Sequence, residues 1–288
     1  MTELTILDGG MGVELIARGV TSKDGLWSAQ ALVDDPETVA EVHRDYVKAG
    51  ARVIITNSYS TIPSYLEKAG LANEYLRYTK VAGEIARRVA DEFDGQVKVA
   101  GSLPPLDESY RYDLAPADED ALPIYRSLTE TLNPYVDLYV CETMACVREA
   151  CNASQAALES GKPFWVAWTL AEEPGSGLRS GESIAAAFAA LTPFNPEAYL
   201  FNCSTPESIT PALGQLRALT DKPIGVYPNL LHIPKDWTLD NEVSAGYREL
   251  AVEDFVGFAH EWRHQGATII GGCCGIGPDY IQALAAGV

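Results

Sequence analysis

The feature that most constrains this chain is an alternation. Short runs rich in apolar and β-branched residues recur at 4–7, 52–56, 97–100, 137–140, 164–169, 198–201, 224–227 and 267–270, and the stretches between them carry helical periodicity. Residues 36–49 show the helical pattern most plainly, with Val39, Val42, His43, Tyr46 and Val47 falling on one face. Gly50, Gly161 and Gly266 stand where a helix has to stop before the next run. Strand alternating with helix implies a parallel sheet. An open doubly wound sheet meets that requirement too, but eight units in 288 residues favour a single (β/α)8 barrel of the TIM type spanning 1–288, with no linker or internal repeat.

In such a barrel the site is assembled at the C-terminal ends of the strands. The first run leads into Asp8-Gly9-Gly10-Met11-Gly12, and the second into Asn57-Ser58-Tyr59. The fourth leads into Cys141-Glu142-Thr143, the sixth into Asn202-Cys203-Ser204, the seventh into Pro228-Asn229 and the eighth into Gly271-Gly272-Cys273-Cys274-Gly275. Three thiols therefore reach one rim: Cys203, Cys273 and Cys274. Three thiolates suit zinc, which takes sulfur in tetrahedral geometry, and leave a fourth position open for a sulfur substrate. The competing readings are three small buried hydrophobes beside a glycine turn, or a vicinal disulfide. Cys141, Cys146 and Cys151 read as packing; Cys141 neighbours Glu142, and strand alternation turns its side chain the other way. Glu142 and Asp8 could hold an ammonium group, and the backbone N–H groups around Gly9 and Gly10 a carboxylate, so the rim suits an amino acid.

Charge narrows the partners. Forty acidic against 21 basic residues give a formal net charge of −19, which repels nucleic acid and anionic membranes. Residues 1–8 have neither the basic nor the apolar region of a secretory signal, and no apolar run approaches bilayer length. The expectation is a soluble cytoplasmic protein whose six cysteines stay reduced. Its partners would be small molecules and, since barrel enzymes often pair, a second copy of the chain.

These segments are similar to those of the homocysteine S-methyltransferases, a family with S-methylmethionine-dependent and betaine-dependent members and a relative in the homocysteine module of cobalamin-dependent methionine synthase. The resemblance rests on Leu7-Asp-Gly-Gly-Met-Gly-Val-Glu-Leu15, Leu26-Trp-Ser-Ala29, His43-Arg-Asp-Tyr-Val-Lys-Ala-Gly-Ala51, Cys141-Glu-Thr143, Asn202-Cys203, Tyr227-Pro-Asn229 and Gly271-Gly-Cys-Cys-Gly275, from the first strand to the last. It implies Zn2+ held by Cys203, Cys273 and Cys274, homocysteine held by Asp8, Gly9 and Glu142, and attack of the homocysteine sulfur on an activated methyl group to give methionine. The run 26–29 looks most like the S-methylmethionine-using branch, which implies a sulfonium donor, S-methylmethionine or S-adenosylmethionine. Trp27, Tyr59 and Asn229, together with Tyr110, are the donor-side candidates, the aromatic ones through cation–π attraction.

The chain departs from the family pattern at three places: the loop 101–110, Ile276 where a threonine is usual, and Leu230-Leu231 after Tyr-Pro-Asn. These keep open a betaine- or dimethylsulfoniopropionate-type donor, an acceptor other than homocysteine, and a zinc- or thiol-binding protein without methyl transfer. One motif points elsewhere: His260-Glu261-Trp262-Arg263-His264 matches the H-E-x-x-H pattern of zinc proteases. It precedes the last strand, so it falls toward the opposite rim, and Phe255, Phe258, Ala259 and Trp262 form a packing stripe through it. We read it as a chance match, and His43 as structural.

Overall fold

The computed structural model describes residues 3–20, 26–233 and 246–288. The first half of the chain runs β1 (Thr5–Ile6), α1 (Met11–Ala17), α2 (Ala31–Asp34), α3 (Pro36–Ala49), β2 (Val53–Ile55), α4 (Pro63–Glu67), α5 (Tyr75–Asp91), β3 (Lys98–Leu103), α6 (Asp118–Leu132) and β4 (Leu138–Met144). The second runs α7 (Val147–Glu159), β5 (Phe164–Trp168), α8 (Ile184–Leu191), β6 (Ala198–Asn202), α9 (Pro206–Arg217), β7 (Ile224–Tyr227), a small antiparallel ribbon β8 (Leu231–His232) with β9 (Gly246–Tyr247), then α10 (Val252–His264), β10 (Ala267–Ile270) and α11 (Pro278–Gly287). Eight of the strands form one parallel sheet in the order β1-β10-β7-β6-β5-β4-β3-β2. A parallel bridge between Leu7 and Val53 joins its two edges and closes the barrel, with Asp8 N–H donating to Val53 O at 3.1 Å and Arg52 N–H to Ile6 O at 2.8 Å.

All eight expected strands are present, and β7 and β10 have the expected limits. Two run further than expected. β3 continues through Gly101-Ser102-Leu103, and β4 through Cys141-Glu142-Thr143-Met144, because β4 keeps its ladder with β5 beyond the apolar run. Glu142 therefore lies within a strand and not in the loop after it.

Strand alternation divides the apolar residues into two sets. Leu7, Val53, Ala100, Leu138, Val140, Ala167, Leu200 and Ile269 fill the barrel interior, while Tyr139, Cys141, Val166, Phe201 and Val226 pack outward under the helices. The helix expected at 36–49 is α3, with Asp35 accepting from Thr38 N–H at its start, Pro36 in its first turn and Gly50 at φ 120° ending it. It buries Val39, Val42, His43, Tyr46 and Val47. On α10, Phe255, Ala259 and Trp262 are buried while His260, Glu261 and His264 are exposed; among the described residues they form no metal-holding cluster.

The first and last strands meet at a seam that leaves no room for side chains. A Cβ on Gly9 would lie 2.2 Å from the Ile276 carbonyl oxygen and 2.7 Å from Tyr46 Cε1; one on Gly10 would lie 2.7 Å from Cys273 O. Gly10 N–H donates to Ile276 O at 3.0 Å, and the Tyr46 hydroxyl lies 3.1 Å from the carbonyls of both Gly10 and Ile276. Ile276 is buried and packs on Gly272, so the residue that departs from the family pattern serves packing at this seam. Gly9→Ala should lose about 1–3 kcal/mol of stability through overpacking. Gly257→Ala, at an exposed site on α10 with open space around it, should gain about 0.4–1 kcal/mol. Urea titrations of the two variants check the contrast.

His43 adds a pH term. It is fully buried, and neither ring nitrogen has a partner among the described residues. Burial lowers its pKa from 6.5 to about 4, so the folded state holds the ring neutral. Its contribution is fully present above pH 6.5 and is lost as pH falls through about 4. The span amounts to about 3 kcal/mol at most. His43→Leu should flatten the decline in stability over that range, as measured by denaturation at stepped pH.

Candidate metal centre and amino-acid pocket

A cavity of about 260 Å³ opens at the C-terminal end of the barrel, and residues from Asp8 through Cys274 line it. The tail of β7 organises one wall. Tyr227 O accepts from Cys203 N–H at 3.2 Å, and Pro228 O from Cys273 N–H at 2.7 Å. Asn229 N–H donates to Ser204 O at 3.1 Å and Leu230 N–H to Cys274 O at 2.8 Å. One four-residue segment thus holds both cysteine-bearing strand ends. Leu230 packs on Gly275, which accounts for a second departure from the family pattern, and Leu231 lines the cavity.

The three thiols meet as expected. Cys203, Cys273 and Cys274 place their sulfurs within 4.8 Å of one another, and Cys203 Sγ lies 2.7 Å from Cys273 Sγ across seventy residues of chain. Hydrogen bonds from Cys273 and Cys274 hold the Cys203 thiol well below its ordinary range, against the opposing effect of burial. The same arrangement pushes Cys273 and Cys274 well above theirs, first through Cys203. The trio therefore concentrates one negative charge on sulfur and resists the next. A soft dication that accepts three thiolates at about 2.3 Å would relieve that resistance. The donor set fits zinc. Cys141 packs outward with the core, Cys146 is buried at the start of α7, and Cys151 is half-buried on that helix.

Glu142 reaches the cavity because β4 carries a bulge. Cys141 pairs with Val166 and Met144 with Trp168, so one extra residue lies on β4 between the two pairs. Cys141 and Met144 both pack outward, and Thr143 takes the left-handed conformation at φ 60°. Glu142 Oε1 accepts from the Ser102 hydroxyl at 2.6 Å, and Oε2 from the Tyr227 hydroxyl at 3.4 Å. Burial pushes its pKa up to about 7. Asp8 Oδ2 accepts from Ile55 N–H at 2.8 Å, and burial, with Glu142 adding repulsion, raises the Asp8 carboxyl well above its usual range. Asp8 and Glu142 line the cavity with no lysine, arginine or histidine among the described lining residues. A bound cation would stabilise both carboxylates. Gly10 N–H is committed to Ile276 O, which narrows the expected carboxylate cradle to the amide of Gly9 and the start of α1.

On the opposite wall, Tyr59, Tyr65 and Tyr110 line the cavity. The Ser109 hydroxyl lies 2.8 Å from the Tyr59 phenol and 3.0 Å from that of Tyr65. Tyr110 sits at φ 69° and hydrogen-bonds Cys203. The loop that departs most from the family pattern thus delivers Ser109 and Tyr110 to the site. Asn229 is buried but does not line the cavity, and the side chain of Trp27 lies outside the described residues. Sequence reasoning missed Ser102, Tyr65, Ser109 and the partner role of Tyr227; Tyr227 stood inside a quoted segment, whereas an isolated serine carries no sequence signal.

Comparison with known proteins agrees with this geometry. The family model described as homocysteine S-methyltransferase matches residues 5–288. A homocysteine S-methyltransferase of Escherichia coli is 31% identical, over 99% of this chain and 95% of its own length. One from Bacillus subtilis is 29% identical, over 98% and 94%. The metallated crystal form of the homocysteine methyltransferase MmuM from Escherichia coli superposes with a TM-score of 0.83 at 30% identity, covering 99% of this chain and 96% of that one. With the whole barrel matched and a thiol cluster at its open end, the chain belongs to the homocysteine S-methyltransferase family.

Proposed function

We propose that the protein moves a methyl group from a sulfonium donor, S-methylmethionine or S-adenosylmethionine, to the thiol of homocysteine, with zinc held by Cys203, Cys273 and Cys274. The observation that carries the reading is the meeting in one cavity of a three-thiol cluster and two buried carboxylates that lack a cation. When bound, the metal would draw the acceptor thiol to its open position and favour its deprotonation. The chain's own residues supply the rest. Asp8 and Glu142 take the ammonium group of the acceptor, and the amide of Gly9 its carboxylate. This orients the sulfur toward the thiol cluster at the far side of the same cavity. Tyr59, Tyr65 and Tyr110 offer aromatic faces to an onium centre. The negative lining favours a donor of net positive charge over a neutral zwitterion such as betaine.

The test is a methyl-transfer assay with homocysteine as acceptor and S-methylmethionine, S-adenosylmethionine, betaine and dimethylsulfoniopropionate offered separately, with metal content determined on the same preparation. The expected result is methionine from a sulfonium amino-acid donor and about one zinc per chain. Zinc-loaded protein that forms no methionine from any of the four refutes the proposal. Cys273→Ser should lose metal and lower turnover by more than about 100-fold. Glu142→Gln should keep its metal and raise the KM for homocysteine by about 10–150-fold, the worth of one charge-assisted hydrogen bond. Unchanged kinetics would remove Glu142 from acceptor binding.

A further inference from the structure

Asn202 immediately precedes Cys203 and is fully buried, as is Thr143. It stands on β6, with β5 between it and β4, yet its side chain reaches the β4 bulge. Asn202 Oδ1 accepts from Thr143 N–H at 2.8 Å, and Asn202 Nδ2 donates to Thr143 Oγ1 at 2.9 Å. Each bond has a consequence. The bulge takes Thr143 out of register with β5, and an unsatisfied buried N–H would cost about 1–3 kcal/mol; the amide oxygen removes that cost and stabilises the left-handed turn. The amide N–H occupies an acceptor position on the Thr143 hydroxyl and so directs its proton elsewhere. Within reach of that hydroxyl are the Cys203 sulfur and the Tyr59 phenol. Cys203 itself stands in the left-handed region at φ 47°. One amide therefore spans two strained residues, one following the acceptor-binding carboxylate and the other a metal ligand.

We infer that Asn202 is a positioning residue that couples acceptor recognition to the metal centre, holding Glu142 and Cys203 in fixed relation through the Thr143 bulge. The inference rests on the proposed function for the roles of Glu142 and Cys203. It requires that loss of the amide disturb two binding events at once: the thiol cluster loses the oriented hydroxyl beside Cys203, and Glu142 loses the bulge that aims it.

The test measures binding, not turnover. Zn2+ affinity is read by competition with a chromophoric chelator, and homocysteine affinity from the visible spectrum of Co2+-loaded protein. In Asn202→Ala both affinities should fall together, each by about tenfold or more. Thr143→Val keeps the shape and removes the hydroxyl, and should lower Zn2+ affinity by a similar factor; Thr143→Ser should restore it. If Asn202→Ala fails to fold, the Thr143 pair decides, and unchanged Zn2+ affinity in Thr143→Val overturns the inference. An Asn202→Ala protein with a lowered melting temperature and both affinities intact also overturns it, because Asn202 is then structural only. Wild-type protein that takes up neither Zn2+ nor Co2+ defeats the proposed function and this inference together. Wild-type uptake with variants that bind equally well defeats this inference alone.

Discussion

The open end of the barrel depends on four consecutive backbone groups, from Tyr227 to Leu230. Tyr227 O and Pro228 O accept from Cys203 and Cys273, while Asn229 N–H and Leu230 N–H donate to Ser204 O and Cys274 O. Because these bonds alternate between the end of β6 and the end of β10, the segment fixes two strand tips that are not neighbours in the sheet. Proline suits position 228, where only a carbonyl is used. The contact between the Cys203 and Cys273 sulfurs follows from this splint, and so does the concentration of charge on the thiol cluster.

The second constraint is electrostatic. The cavity gathers three thiols and two carboxylates with no cationic side chain among its described lining residues. Desolvation dominates the shifts of Asp8 and Glu142, so the empty pocket disfavours its own charges. Such an arrangement lowers stability without a ligand and raises affinity for positive charge, as expected where function overrides the local rules of burial. Acceptor ammonium, metal and donor onium each lower that cost, and binding of one affects the environment of the next.

Much of this was legible in the sequence, for reasons that differ by residue. The barrel could be read because each strand is an apolar run bounded by glycine and polar residues, and the cysteines because a strand tip names its own rim. The β4 bulge could not. Strand alternation through Cys141 and Glu142 gives the right faces for both, but nothing in the residue types says that Thr143 also turns out of the regular pattern, since that depends on pairing with Trp168 and on the amide of Asn202 some sixty residues on. Ile276 and Leu230 looked like changes in the ligand site. They are the far sides of two glycine contacts, with Gly272 and Gly275, and such contacts exist only once the last strand has docked. Ser109 and Tyr110 mark the same limit from the other side, because a loop that departs from its family in sequence still brings polar and aromatic groups to the cavity.

Charge also bears on turnover. In the proposed reaction the donor enters as an onium ion and leaves as a neutral thioether, since the transferred methyl carries the charge away from the donor sulfur. Attraction to the tyrosine faces, about 0.5–2 kcal/mol for a cation, and to the negative lining is then present for the substrate and absent for the product. The acceptor changes in the same direction: an ionised thiol becomes a thioether, a weaker ligand for a metal. Both products are therefore held less tightly than the molecules they came from, by the groups that positioned those molecules. Asp8 and Glu142 are the exception, because the ammonium group they would bind is unchanged by the reaction. Release of methionine then has to work against this end of the pocket, where burial already disfavours the charged carboxylates. That penalty weakens the grip on the one part of the product that still resembles the substrate.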